Sequence, residues 1–313
     1  METVDRNHKH SSEKSELKEM KKAFLVGIHN TSKEKEHAYE YLNELERLCY
    51  TFGLEVVGKE ACLIKKIDAA TYIGKGKLEE LLLLSQTLGA DVVIFDEEIS
   101  PNQQRNLEKI FKKPVIDRTE LILEVFAKSA QTKEARLQVE LAKIKYQAPR
   151  LKRMWTHLSR ESTGGGGGGG AYLRGAGELQ IEIDRRLLKK RVDQLKKEIQ
   201  EVSLHRETQR LQRKRSAIPT FAIVGYTNAG KSTLLKALTQ ANVLVEDKLF
   251  ATLDTTTRKF ILPNKQEILL VDTVGFIRKI PHTLISAFKS TLEEACYTDI
   301  LLHLIDASDR KST

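Results

Sequence analysis

Read from its N-terminal end, the chain alternates short apolar runs with stretches in which apolar residues recur every three or four positions. AFLVGIH (23–29) is the first apolar run, and a charged helical pattern follows over about 33–52. A second strand candidate lies within 55–65, a Leu-rich helix at 76–88, and DVVIF (91–95) reads as the clearest buried strand. Ser100 before Pro101 marks a helix start, because a Ser hydroxyl can accept a backbone N–H at an N-cap and proline is tolerated at the first helical position. That helix runs to about 112; VID (115–117) predicts a strand and 118–129 a further helix. Such alternation predicts a small parallel α/β N-terminal domain over 21–128, preceded by a polar, disordered lead-in at 1–20. Asp96, Glu97 and Glu98 stand together at a strand end and read as a solvated loop rather than a metal site.

From 129 to 216 the period is helical throughout. Leu137, Leu141, Ile144 and Ala148 recur at spacings of 4, 3 and 4, and Leu188, Val192, Leu195, Ile199 and Val202 at 4, 3, 4 and 3. Two such stripes predict a long antiparallel helical hairpin with its charges outward. Between the arms lie seven consecutive glycines, Gly164 to Gly170, whose backbone freedom opposes any single conformation. Lys152, Arg153, Trp155, His157, Arg160 and Arg174 flank that tip, side chains suited to stacking on bases or meeting phosphates.

Charge sharpens this picture. The chain carries a formal +9, and residues 185–215 hold twelve Lys or Arg against four Asp or Glu, so nearly all the excess sits on the second arm. A concentrated basic stripe implies a polyanionic partner, nucleic acid first. Cys49, Cys62 and Cys296 form no CxxC pair, which argues against zinc and disulfide frameworks and fits a reducing cytoplasm. No apolar run approaches a membrane span.

The chemistry is concentrated in 217–313. FAIV (221–224) leads into GYTNAGKST (225–233) and then LLKALTQA, the strand, glycine loop and helix of a P-loop. Gly225 and Gly230 let the backbone turn its N–H groups inward, with Tyr226, Thr227, Asn228 and Ala229 between them. Lys231 then reaches the β and γ phosphates, Ser232 places its hydroxyl on Mg²⁺, and Thr233 continues the loop into the helix. The Thr-rich stretch 249–260 offers Thr252, Thr255, Thr256 and Thr257 as candidates to complete the Mg²⁺ shell. The strand EILLV (267–271) ends at Asp272, a carboxylate that can hold Mg²⁺ through water, and Gly275 can offer its N–H to a γ-phosphate. A strand at 301–305 and Asp306 follow.

These stretches resemble the HflX family of ribosome-associated GTPases. The resemblance rests on IDAATYIGKGKLEEL (67–81), WTHL (155–158), LRGAGELQIEIDRRLL (173–188), GYTNAGKSTL (225–234), FATLD (250–254) and DTVGFIR (272–278). It implies an α/β architecture ending in a P-loop GTPase domain, with GTP or GDP and Mg²⁺ as ligands and hydrolysis slow until a ribosome stimulates it. It implies nucleotide contacts from Phe250, Ala251, Thr252, Leu253 and Asp254 in one loop and from Asp272, Thr273, Val274 and Gly275 in the other. Thr252 becomes the metal-binding threonine beside Ser232 and Asp272. The implied partner is the large ribosomal subunit and its rRNA, and the implied role is splitting or rescue of stalled ribosomes under stress by a monomeric protein.

Two departures follow. After DxxG many GTPases carry a Gln that orients the attacking water, and here stands Phe276. Related GTPases with an apolar residue there use a P-loop Asn to help hold K⁺, which gives Asn228 that role by resemblance. No NKxD or TKxD appears before Thr313, so the GTPase domain is expected to be incomplete at its C-terminal side, and guanine preference rests on resemblance alone. The alternatives are an RNA- or ribosome-binding module with an inert G domain, and an ATP-using RNA remodeller.

Overall fold

The structure, a computed structural model, describes residues 21–161, 170–215, 218–239, 248–250, 253–280 and 294–307; for 151–161 and 170–181 it describes the backbone path alone. The first sheet has strands β1 (Lys22–His29), β2 (Glu55–Leu63), β3 (Val92–Phe95) and β4 (Val115–Asp117), all parallel in the order β2-β1-β3-β4. Successive strand residues face opposite sides. Thus Ala23, Leu25, Val92 and Ile94 enter one apolar cluster, and Phe24, Val26, Val93 and Phe95 the other. Helices α1 (Lys35–Phe52) and α4 (Arg118–Ser129) cover the first face, through Leu42, Leu45, Leu48 and Phe126. On the second face lie α2 (Lys75–Thr87) and α3 (Pro101–Phe111), through Leu78, Leu81, Leu107 and Phe111. Ser100 makes the expected cap in full: it accepts from Gln103 N, and the Gln103 side chain accepts from Ser100 N.

The hairpin is α5 (Lys133–Glu161) and α6 (Gly170–Arg215). Arg191 pairs with Glu140 and Arg206 with Glu134, a register that runs the two helices antiparallel. Along the anticipated seam, Leu137 and Leu195 are buried and Leu141, Ile144, Val192, Ile199 and Val202 half-buried. Helix α5 has a second apolar face that the seam spacing did not reveal: Ala135, Val139, Ala142 and Tyr146 join the cluster under α1 and α4. Gly164 to Gly169 lie outside the described residues, and Gly170 opens α6.

The second sheet has β5 (Thr220–Gly225), β6 (Thr256–Ile261), β7 (Glu267–Asp272) and β8 (Ile300–Leu304), in the order β6-β7-β5-β8. Strands β7, β5 and β8 are parallel and β6 is antiparallel to β7. Helix α7 (Lys231–Thr239) packs Leu235 against Ile223, Ile268 and Leu270. Strand β6 went unread because TTRKFI lacks a run of alternating apolar residues. Among the described residues no helix is long and apolar enough to cross a membrane.

One apolar cluster joins all three stretches of chain. Leu249, Phe250, Leu253, Val274 and Ile277, from the loops around the second sheet, pack with the residues of α1, α4 and α5. The Phe250 ring meets Phe126 edge-on, with centroids 4.7 Å apart. Asp254 fixes the root of the hairpin: its carboxylate accepts from Gln131 N at 2.9 Å, Thr132 N at 3.0 Å and the Thr132 hydroxyl. Thr132 in turn accepts from Ala135 N in the first turn of α5. Removing a carboxylate from a helix start costs about 1 kcal/mol, so Asp254→Ala should lower unfolding stability by that amount in a urea titration.

Candidate functional site

The P-loop forms where β5 turns into α7. Gly225 has φ +155° and sits so close to β8 that a Cβ there would lie 2.4 Å from the Leu304 carbonyl oxygen, which only glycine tolerates. Asn228 follows at φ 65°, a left-handed conformation that Asn adopts more readily than most residues. Lys231 is 6% exposed, and its ammonium donates to the Tyr226 carbonyl at 2.7 Å. Burial holds this lysine below its ordinary value, and the Asp272 carboxylate pulls it partly back. The Ser232 hydroxyl donates to Asp272 Oδ2 at 2.5 Å, and Asp272 itself is fully buried at the end of β7. Thr273 is buried too and donates to the Ile223 carbonyl.

The donor set fits Mg²⁺. A serine hydroxyl and a carboxylate are hard oxygen ligands, and Mg²⁺ takes one or two such groups together with phosphate oxygens and water. No three His, Cys, Asp or Glu side chains among the described residues gather as a metal cage. The buried Thr227 hydroxyl oxygen has no hydrogen-bond partner among the described residues, which leaves polar capacity inside the loop.

The loop after β7 lies directly on the P-loop. Phe276 N donates to the Gly225 carbonyl at 3.0 Å, and Thr227 N donates to the Phe276 carbonyl at 2.8 Å. Gly275 is glycine for lack of room: a Cβ would fall 2.6 Å from Thr227 Cα and 2.7 Å from the Lys231 ammonium. The Phe276 side chain is 39% exposed.

Sequence reasoning placed Gly225 to Thr233 together with Asp272 to Gly275, and the structure brings these two stretches into contact. Ala251 and Thr252 lie outside the described residues. Phe250, Leu253 and Val274 are buried in the shared apolar cluster, and Asp254 is engaged at the root of α5. The reading of Asp96 to Glu98 as a solvated loop holds for the exposed Glu98 and is corrected for Asp96 and Glu97. Asp96 is 2% exposed and receives Arg118 at 2.8 Å and Lys279 at 2.6 Å. This crevice, outside the ends of β1 and β3, is where the strand order reverses and where open α/β sheets take ligands. Here the occupant is Lys279, its ammonium shared by Asp96 and Glu97 and lying 4.3 Å from the Tyr41 ring centre. Burial opposes that charge, but the two carboxylates outweigh it and push Lys279 up.

A cavity of about 240 Å³ opens between the P-loop and α1, with Tyr226, Thr227, Asn228, Leu249, Arg278 and Asp306 on one side and Glu40, Glu44 and Arg47 on the other. Sequence reasoning passed over the α1 side because Glu40, Glu44 and Arg47 look like the solvated face of a charged helix.

Three family models match in succession: "GTP-binding GTPase N-terminal" over 39–127, "GTP-binding GTPase Middle Region" over 129–213 and "50S ribosome-binding GTPase" over 220–313. The GTPase HflX of Lacrimispora saccharolytica is 50% identical over 294 residues, which cover 94% of this chain and 68% of that protein. The chain belongs to the HflX GTPase family. The HflX of Chlamydia pneumoniae is 49% identical over 287 residues, 91% of this chain and 60% of its own length. For the Escherichia coli HflX the values are 45% over 287 residues, 92% and 65%. The chain therefore spans about three-fifths to two-thirds of the length of its HflX relatives. A crystal structure of SsGBP in complex with GDP superposes with a TM-score of 0.51 at 30% identity, covering 91% of this chain and 72% of that one.

Proposed function

We propose that this HflX chain binds GTP and GDP with Mg²⁺ at the P-loop and hydrolyses GTP to GDP and phosphate. The observation that carries this is the convergence of the buried Lys231 and Asp272 with the half-buried Ser232 beneath the glycine loop. The names of the relatives and the GDP-bound neighbour support guanine as the base. Ser232, Thr252 and Asp272 would hold Mg²⁺, which neutralises phosphate charge when bound. Lys231 contributes a second positive charge, and its low exposure makes that charge act through little water. Phe276 has no group to orient a water molecule, so the reading assigns Asn228 to help hold K⁺ beside the phosphates.

The same reading makes the protein a cytoplasmic monomer that docks on the large ribosomal subunit and splits or rescues stalled ribosomes. It keeps three functional units, 21–128, 129–216 and 217–313. The basic α6 arm is the rRNA-binding element, in line with its charge, and the family description over 220–313 supports the ribosome as partner of the chain.

Phosphate release should be slow for the protein alone with Mg²⁺ and GTP, and at least about a hundredfold faster with purified large subunits, since partners that complete a GTPase site supply such factors. A rate that is already fast alone, or that subunits leave unchanged, would overturn the ribosome-gated reading. Subunit binding indifferent to nucleotide would favour an RNA-binding module instead, and ATP competing equally with GTP would favour an ATP-using remodeller.

A further inference from the structure

The loop that lies on the P-loop is held from its other side by the first sheet and its helices, with Arg278 meeting Glu40 of α1 at 3.4 Å and Glu44 of α1 at the centre of the hydrogen bonds. Tyr226 of the P-loop donates its phenol to Glu44 Oε2 at 2.7 Å and accepts from Arg278 N at 2.9 Å. The other oxygen of Glu44 takes Arg118, and the same guanidinium donates to the Arg278 carbonyl at 3.1 Å and to Asp96 at 2.8 Å. Both main-chain polar groups of Arg278 are thus satisfied by a circuit centred on Glu44 of α1. The next residue, Lys279, has φ 50° with its ammonium in the Asp96 and Glu97 crevice. A non-glycine residue in that conformation persists only where its surroundings over-determine it.

Stability alone is a poor reason for this circuit. The side chains of Glu44 and Arg118 are 12% and 2% exposed, and the Arg118 Nε has no hydrogen-bond partner among the described residues. Well-packed apolar residues of similar size would serve a permanent interface at least as well. What the circuit does fix is the position of residues 275–279, and Gly275 lies against the ammonium of Lys231. A third phosphate arriving beside Lys231 meets that loop first.

Building on the nucleotide site above, we propose that Glu44 is a positioning residue for it. Acting through Tyr226 and Arg278, Glu44 holds the loop after β7 down on the P-loop, so that a diphosphate is accepted as the site stands and a triphosphate must lift the loop. Lifting it breaks the Glu44–Tyr226 bond and frees α1 and the Lys279 crevice. By reciprocity, whatever separates α1 from the P-loop favours the triphosphate.

The test is the ratio of affinities for GDP and a non-hydrolysable GTP analogue, measured with Mg²⁺ on wild type, Glu44→Ala, Tyr226→Phe and the double variant. Each single variant should shift the ratio about five- to tenfold toward the analogue, and the double variant no further, because both cut one connection. If Glu44→Ala fails to fold, Glu44→Gln, which keeps the shape and loses the charge, should shift the ratio in the same direction. A lowered melting temperature with an unchanged ratio, or two additive shifts, would reduce the circuit to structural glue and overturn the proposal. A wild type that binds neither nucleotide would instead sink the nucleotide reading on which it rests.

Discussion

Replacing Lys231 with Met should leave the unliganded protein at least as stable as wild type while abolishing most of its response to nucleotide. The ammonium is buried, burial disfavours its charge, and the neighbouring Asp272 only partly offsets that. Its charge is therefore a cost to the empty fold and a gain only when phosphates arrive. At a concentration one hundred times the dissociation constant, Mg²⁺ and GDP should stabilise wild type by about 2.7 kcal/mol. If Lys231→Met weakens binding about a hundredfold, the same concentration should stabilise the variant by only about 0.4 kcal/mol. Urea titrations with and without nucleotide read both quantities, and an undiminished nucleotide shift in the variant would refute the role given to Lys231. The sign with pH is also defined. Between its lowered folded value and the ordinary 10.5, Lys231 binds more proton in the unfolded chain, so through this group stability rises with pH. The margin of the unliganded Met variant over wild type should narrow as pH climbs toward 10.5.

Asp117→Ala should be the most damaging single change away from the P-loop. The carboxylate is fully buried at the end of β4 and accepts four hydrogen bonds: Glu120 N at 2.9 Å, Ile99 N at 3.2 Å, the Tyr146 hydroxyl at 2.8 Å and Arg150 Nη2 at 3.1 Å. Those partners belong to the start of α4, the approach to α3, and α5, so one side chain ties the first sheet to the hairpin. Burial raises its carboxyl; the bonds from Glu120 and Tyr146 and the Arg150 charge pull it back. Removing it takes the paired carboxylate from the Arg150 guanidinium, which keeps only neutral acceptors such as the Ile99 carbonyl at 3.0 Å, and leaves the Tyr146 phenol with Glu120 at 3.4 Å, a loss of about 3–5 kcal/mol in urea unfolding. Asp117→Asn should rescue only part of this, because one of its two positions is then an amide NH₂ facing donors. A loss below about 1 kcal/mol for the alanine variant would show that these partners find other acceptors readily.

What could be read from the chain divides by distance. The P-loop was legible because strand, glycine loop and helix are contiguous, and the Ser100 cap because Pro101 follows it directly, although the reciprocal bond to the Gln103 side chain was not read. The parallel sheet was legible because Val92–Phe95 and Lys22–His29 are short apolar runs between helical patterns. Helix α5 was read for one apolar stripe although Ala135, Val139, Ala142 and Tyr146 carry a second at the same 4, 3, 4 spacing; two interleaved stripes blur a single period. Glu44 and Asp96 could not be placed. Their partners Tyr226 and Lys279 lie 182 and 183 positions away, and a charge on a charged helix looks solvated until its distant counterpart is known.

Asp254 at the foot of α5 has a mechanical consequence. A helix of 29 residues is about 44 Å long. Because Ala135 to Tyr146 pack under α1 and α4 and Arg150 is tied to Asp117, the helix moves with the first sheet as one piece. A tilt of about 5° of that piece about Thr132 sweeps the far end of the helix through about 4 Å, by the rise per residue alone. A sub-ångström rearrangement in the stretch carrying Asp254 is therefore amplified at the remote end of the arm, far from any phosphate.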